Sequence, residues 1–324
     1  MEPPRLAFRT VVCLLLLVAL SSATAQALRV DGSSTLHPAL VAVAAELAEK
    51  LPDTTIELGF SGTGGGFDLF CRGAAQIIGA SRLASAQERE ACAANGVEFV
   101  VVPVALDAVI MVVNQDNDWA LCLTLDELRR MWRSDSSVER WSDLRPDWPS
   151  QEIHFYAPGV ASGTNSFWNE RVVGEPSGMR TDFFPSEDDR WLAQSVATDL
   201  NAVSFFGRAY VVQEADRLRA VAVDDGMGCI DPASLARPWS SRWPFIRPLF
   251  LYLSMTSAES QDAVTMFVEL FLSQWGQEQL TAAGYLPLGE GVLRASRERF
   301  RSRVTGPLPA EFSGKALLMR LPGN

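Results

Sequence analysis

The chain has 324 residues, 48% of them hydrophobic and 21% charged, with a formal net charge of −11. That balance excludes nucleic acid and anionic lipid as natural partners. It also excludes whole-molecule attraction of an anion, so any anion site here must work through local dipoles and individual cations.

The first residues read as a targeting segment. Arg5 and Arg9 form its positive end, and Val11 to Leu20 is an apolar core too short to span a bilayer comfortably. Ala23-Thr24-Ala25 offers a cleavage site, with Ala25-Gln26-Ala27 as a second option, so residues 1–25 are expected to be a signal peptide. Cys13 lacks a small-residue lipobox, which argues against a lipid anchor. What remains is long enough for two lobes of roughly 100–150 residues each.

In chain order, Leu28 to Asp31 reads as a strand and Pro38 to Lys50 as an Ala-rich helix. Thr55 to Phe60 is strand-like, Phe67 to Arg72 starts a helix, and Gln76 to Ala80 is a strand. Ser85 to Asn95 reads as a helix stopped by Gly96, and Val97 to Asn114 as two buried strands broken at Pro103. Thr124-Leu125-Asp126-Glu127 fits a capping box opening a helix to Trp132. Ser134 to Gln151 reads as a surface loop, Ile153 to Ala157 as a strand, and Asn165 to Val173 as a helix. A capped helix over Ser186 to Thr198 follows, then strands at Ala202 to Gly207 and Arg219 to Asp224. Pro232 to Pro248 looks irregular, Phe250 to Ser254 is a strand, and Ser257 to Ala283 is a long helical stretch before a weakly patterned tail from Gly306. This alternation predicts an α/β fold around a largely buried sheet.

Four cysteines follow the leader: Cys71, Cys92, Cys122 and Cys229. In an exported chain an even number reads as two disulfides, with three pairings open. Cys71–Cys92 would staple a local helix–strand–helix unit, and Cys122–Cys229 would tie the ends of a middle segment; these are the expected pairs. A zinc site is disfavoured, since there is no C-x-x-C pair and only two histidines exist.

Three Ser/Thr/Gly clusters carry the chemistry: Gly32-Ser33-Ser34-Thr35, Ser61-Gly62-Thr63-Gly64-Gly65-Gly66 and Ser162-Gly163-Thr164. Each follows a strand-like run and precedes a helix-like one. Glycine lets backbone approach closely, hydroxyls point inward, and helix starts leave unpaired N–H groups, a combination suited to a small oxyanion. Arg82, after Gly79-Ala80-Ser81, stands at a strand's carboxyl end where open α/β sheets bind ligands. A single such turn would be no more than an ordinary N-cap; three in corresponding places are specific.

Enzyme readings are weaker. His37 and His154 lie near the first and third clusters, so Ser34 or Ser162 invites comparison with a secreted serine-dependent phosphatase or esterase. Neither serine sits in a G-x-S-x-G elbow, and no Gly-Lys-Ser/Thr follows the glycines as in a P-loop. Glu187-Asp188-Asp189 sits where acids favour a helix dipole; Asp188 and Asp189 are also candidate acceptors for the proton of a protonated phosphate.

These strings resemble the periplasmic phosphate-binding proteins of ABC transporters. Gly32-Ser33-Ser34-Thr35-Leu36-His37-Pro38, Ser61 to Phe67, Ile78 to Arg82, Ser162-Gly163-Thr164, Ser186 to Asp189, Asn201 to Gly207 and Gly284 to Leu288 occur in the family's order, closest to its branch with Ala-Ser-Arg. The resemblance implies a two-lobe type II binding-protein fold, each lobe a mixed sheet flanked by helices. One lobe would span residues 26–112 plus 248–310, the other 113–247, with a tail at 311–324 and crossovers near Val113 and Arg247. It implies phosphate held by Ser34, Thr35, the Leu36 N–H, Thr63, Gly64, Arg82, Ser162, Gly163 and Thr164. No catalytic residue, cofactor or metal is implied. The expected molecule is a soluble periplasmic monomer that delivers phosphate to membrane permease subunits. Well-known members carry an aspartate where Arg82 stands and an arginine near Pro158. Without that aspartate, rejection of sulfate falls to Glu187, Asp188 or Asp189, and sulfate, molybdate or a phosphorylated metabolite remain alternative ligands.

Overall fold

The computed structural model describes residues 27–174, 176, 178–233, 242–260 and 262–309. The expected leader with Cys13, part of the Pro232–Pro248 segment and the tail at 311–324 lie outside these residues.

Twelve strands form among the described residues: β1 Leu28–Gly32, β2 Ile56–Leu58, β3 Ile77–Ala80, β4 Phe99–Asn114, β5 Cys122–Thr124, β6 His154–Pro158, β7 Phe184–Ser186, β8 Ala202–Gly207, β9 Leu218–Ala220, β10 Ala222–Asp224, β11 Cys229–Ile230 and β12 Ile246–Ser254. The main sheet runs β2-β1-β3-β12-β4-β8-β6-β7, with β9 also on β4, and a small sheet runs β11-β10-β5. β1 pairs in parallel with β2 and β3, so the loops after these three strands leave from one edge.

β4 is continuous across the molecule. Its first part pairs antiparallel with β12, from Phe99 opposite Ser254 to Ala108 opposite Ile246; from Val109 it pairs with β8. All sixteen of its residues are buried, which is why the segment reads as an unbroken apolar run rather than an alternating one. The expected break at Pro103 is a bulge instead: Leu249 faces Ala105 and Phe250 faces Pro103, so Val104 is the extra residue. A bulge accommodates a residue without an N–H and bends the strand without ending it.

Helices cover both ends of this sheet. His37–Lys50 buries Ala39, Leu40, Val43 and Leu47 against the half that carries β1. The other half is packed with aromatics: Trp168 stacks on Phe205 at 4.3 Å, and Trp132 meets both edge-on. Each such side chain taken from water contributes about 1.5–3 kcal/mol.

Several expectations are corrected. The helix expected from Phe67 begins at Gly62, inside the glycine cluster. Ser134 to Gln151 is not simply a surface loop: it contains the short helix Trp141–Leu144, and Trp141 is fully buried against Trp119 and Trp148. The segment Arg219 to Asp224 is two strands in two sheets. The long helical stretch expected over Ser257 to Ala283 is interrupted after Asp262–Leu272: Ser273 caps a new start, Gln274–Ala282, by accepting from Gly276 N–H. β12 starts at Ile246, before Pro248. Glu290–Arg301 is a further helix that the pattern reading left unassigned. Both expected disulfides are present, Cys71–Cys92 and Cys122–Cys229. Among the described residues no helix is long and apolar enough to cross a membrane.

Candidate functional site

The three hydroxyl clusters meet. β1 ends in Gly32, whose φ of +115° turns the chain into a 3-10 turn over Ser34–Leu36. A Cβ there would lie 2.1 Å from Gly79 O, so only glycine permits the turn beside β3. Asp31, almost fully buried, ties the second cluster to the first: its Oδ1 accepts from Gly32 N–H at 2.7 Å, Ser61 N–H at 3.0 Å and Ser61 Oγ at 2.7 Å. The second cluster then opens the helix Gly62–Cys71. The third opens the helix Gly163–Trp168, with Ser162 Oγ accepting from Thr164 N–H at 3.0 Å.

Hydroxyls converge between these turns. Ser81 Oγ lies 3.1 Å from both Ser33 Oγ and Thr63 Oγ1, and Thr35 Oγ1 lies 3.2 Å from Thr164 Oγ1. Gly163 approaches so closely that a Cβ on it would stand 2.3 Å from Ser81 Oγ and 2.8 Å from Thr63 Oγ1. Gly64 N–H donates to Ala161 O at 2.9 Å, and Leu36 N–H donates to Ser33 O within its own turn. Two tyrosines brace the first loop from below: Tyr210 donates to Ser34 O at 2.8 Å and Tyr285 to Thr35 O at 2.5 Å.

The cation at the centre is Arg247, on β12. It is 2% exposed and paired with Asp107 of β4, which is wholly buried. Its Nε and Nη2 donate to Asp107 Oδ2 at 3.1 and 2.9 Å. The same Nη2 donates to Thr35 Oγ1 at 3.0 Å and Thr164 Oγ1 at 2.9 Å, joining the first and third clusters. Nη1 is buried without a partner. The sequence reading had used Arg247 only to mark a crossover. The available signal was a lone charge in each of two apolar runs, Val100 to Val113 and Phe245 to Leu253, because a charge buried in a strand requires a partner.

Arg82, the cation expected in the site, is forked on Glu88 at the rim, with bonds of 2.7 and 2.8 Å. Glu88 also closes the capping box with Ser85, which fixes it in place. The three acids separate. Asp188 caps the helix Asp189–Thr198 and pairs with Arg190 at 3.2 Å, partly in solvent. Glu187 Oε1 accepts from Ala161 N–H at 3.2 Å and so supports the third loop; burial pushes its carboxyl up. Asp189 is fully buried, and the Ser34 hydroxyl lies close to its carboxyl without reaching regular hydrogen-bond geometry. Burial pushes its carboxyl up to about 7; Arg247 and Ser34 favour its charged form, while Asp107 and Asp188 oppose it. His37 packs on Phe60 at 5.2 Å and His154 bonds Asp199 at 2.6 Å. No bond between either imidazole and Ser34 or Ser162 occurs among the described residues. No group of three or more potential metal ligands occurs among them either.

A mixed sheet shared by two halves, with helix starts from both aimed at one buried cluster, is the type II periplasmic-binding-protein fold. The chain belongs to the PBP superfamily, whose domain model matches residues 18–274. It is 36% identical over 299 residues to Protein SphX of Synechocystis sp., covering 92% of this chain and 88% of that protein. It is 28% identical to the phosphate-binding protein PstS of Staphylococcus saprophyticus, covering 80% of this chain and 79% of that one. A crystal structure of a possible phosphate binding protein from Planctomyces limnophilus superposes with a TM-score of 0.59 at 32% identity, covering 87% of this chain and all of that one.

Proposed function

We propose that this chain is a receptor that captures inorganic phosphate outside the cytoplasm and hands it to the permease of an ABC importer. The observation that carries the reading is Arg247, a buried cation hydrogen-bonded at once to Thr35 of the first loop and Thr164 of the third. A small tetrahedral dianion needs many short donors to replace its water. Hydroxyls of Ser33, Ser34, Thr35, Thr63, Ser81, Ser162 and Thr164, backbone at Gly163, and Arg247 Nη1 supply them, joined by Gly64 N–H once it leaves Ala161 O. Arg82 frames the rim. The relatives named phosphate-binding proteins support the ligand. Closure is a hinge motion of one lobe, residues 26–112 plus 248–310, against the other, 113–247. The receptor works as a soluble periplasmic monomer after loss of residues 1–25, and performs no catalysis.

Asp189 supplies the selectivity that the missing aspartate leaves open. Hydrogen phosphate can donate its proton to an ionised carboxylate, and sulfate has none to give.

Titration calorimetry tests the reading. The unmodified chain is expected to bind phosphate, and Arg247→Lys, which keeps the charge beside Asp107 but loses the planar fork, is expected to weaken it by about 1.5–3 kcal/mol. Absence of phosphate binding by the unmodified chain would overturn the proposal.

A further inference from the structure

Two buried phenols hold the backbone of the first loop. Tyr210 donates to Ser34 O at 2.8 Å, and Tyr285 donates to Thr35 O at 2.5 Å. They reach it from different elements. Tyr210 lies in the helix Arg208–Gln213 that follows β8. Tyr285 precedes Leu286, whose N–H and C=O both bond Leu106 of β4 at 2.9 Å. The next residue of β4 is Asp107, and its carboxylate ties both supports to the central cation. Oδ2 holds Arg247, while Oδ1 accepts from Arg208 N–H at 3.1 Å; Arg208 Nη1 in turn donates to Gly284 O at 2.6 Å. Burial pushes both phenols up, so both stay protonated donors.

A trans peptide unit carries its C=O and its N–H on opposite edges. Fixing Ser34 O therefore fixes Thr35 N–H, and fixing Thr35 O fixes Leu36 N–H. Both N–H groups belong to the turn Ser34–Leu36 that runs into the helix His37–Lys50. Helical sense points carbonyls forward along such a stretch and the first N–H groups back toward its start. Leu36 N–H follows that sense, donating back to Ser33 O at 3.1 Å. The start of the turn is where Ser33 Oγ enters the hydroxyl cluster beside Ser81. We infer that Tyr210 and Tyr285 are positioning residues for phosphate, which touch no cargo and instead aim the Thr35 and Leu36 N–H groups at it. The inference rests on the phosphate-receptor reading and deepens it.

Tyr210→Phe and Tyr285→Phe each remove one hydroxyl and keep the ring in its packing. Each is expected to weaken phosphate in titration calorimetry by roughly 3- to 10-fold, the range of one hydrogen bond. A general loosening would do the same, so the amide resonances of isotope-labelled protein are followed as phosphate is added. In the unmodified chain the Thr35 and Leu36 amide protons are expected to move downfield at saturation. Tyr210→Phe is expected to shrink that movement chiefly at Thr35 and Tyr285→Phe chiefly at Leu36, while the Gly163 amide of the third loop responds as before. Either variant serves alone should the other fold poorly. Affinities within about twofold of the unmodified chain, or responses at Thr35 and Leu36 reduced no more than that of Gly163, overturn the positioning role and leave the receptor reading standing. An unmodified chain that binds no phosphate overturns the receptor reading and this inference with it.

Discussion

At the scale of single residues the site is governed by two buried carboxylates with opposite fates. Asp107 is engaged by Arg247, whereas Asp189 feels the same cation with no regular hydrogen bond to it. Between the unfolded value of 3.8 and the folded value of about 7, Asp189 therefore holds a proton in the folded state that it would release when unfolded. A folded-state value of about 7 against 3.8 makes it favour folding below the lower value and lose that contribution as pH rises to the upper one. The amount is on the order of 4 kcal/mol. Asp189→Asn is expected to flatten that slope relative to the unmodified chain, read from urea midpoints between pH 4 and 8. Above pH 7 the same variant replaces an acceptor with a donor, so at pH 8 sulfate affinity is expected to rise by about tenfold and to become independent of pH. In the unmodified chain sulfate binding is expected to strengthen as pH falls through 7, as Asp189 becomes a donor. A sulfate isotherm that ignores pH would remove Asp189 from the ligand's reach. The sequence showed three adjacent acids and left Asp188 and Asp189 both as candidates. Helix phase chooses: the cap residue Asp188 turns to Arg190 and the next residue turns inward.

At the scale of elements, the loops were legible and the cation was not. Turn chemistry is local, so strand, glycine and hydroxyl in succession announced all three clusters. The direction of a long side chain is not local. Arg82 leaves the expected strand end but is drawn to Glu88, six residues on, while Arg247 arrives from a strand far away in sequence. The glycines of the loops divide into two kinds. Gly32→Ala strains a left-handed turn and collides with Gly79 O in the same half of the sheet, so it is expected to destabilise the fold by several kcal/mol in thermal unfolding. Gly163→Ala adds a methyl whose nearest neighbours are Ser81 and Thr63 across the cleft. It is expected to unfold within a few degrees of the unmodified chain yet lose phosphate binding by about 100-fold. Small-angle scattering should then show the chain remaining expanded with phosphate present. A Gly163→Ala protein that binds normally would mean that the two halves never close to this distance.

At the scale of the whole molecule, continuity resides in β4 and β12 and in two covalent ties. Cys71–Cys92 spans 21 residues and Cys122–Cys229 spans 107. Loop-closure entropy assigns them about 3 and about 5 kcal/mol. Replacing the second pair by alanine is therefore expected to lower the urea midpoint more than replacing the first; the reverse order would show that strain or residual structure dominates. Alternating strands and helices revealed the α/β class and the ends of its strands. The passage of β4 through both halves stayed hidden because Pro103 reads as a stop, and only a partner strand shows that the ladder steps over it at Val104. In the same way Trp141 reads as exposed in a polar segment until Trp119 and Trp148 close around it.

Asp107 already cancels the charge of Arg247, so cargo taken into this cluster meets no spare positive unit to erase its own. A filled receptor then migrates further toward the anode than an empty one, by an amount native electrophoresis can resolve, and any membrane machinery that must tell the two apart is handed an electrical label as well as a change of shape.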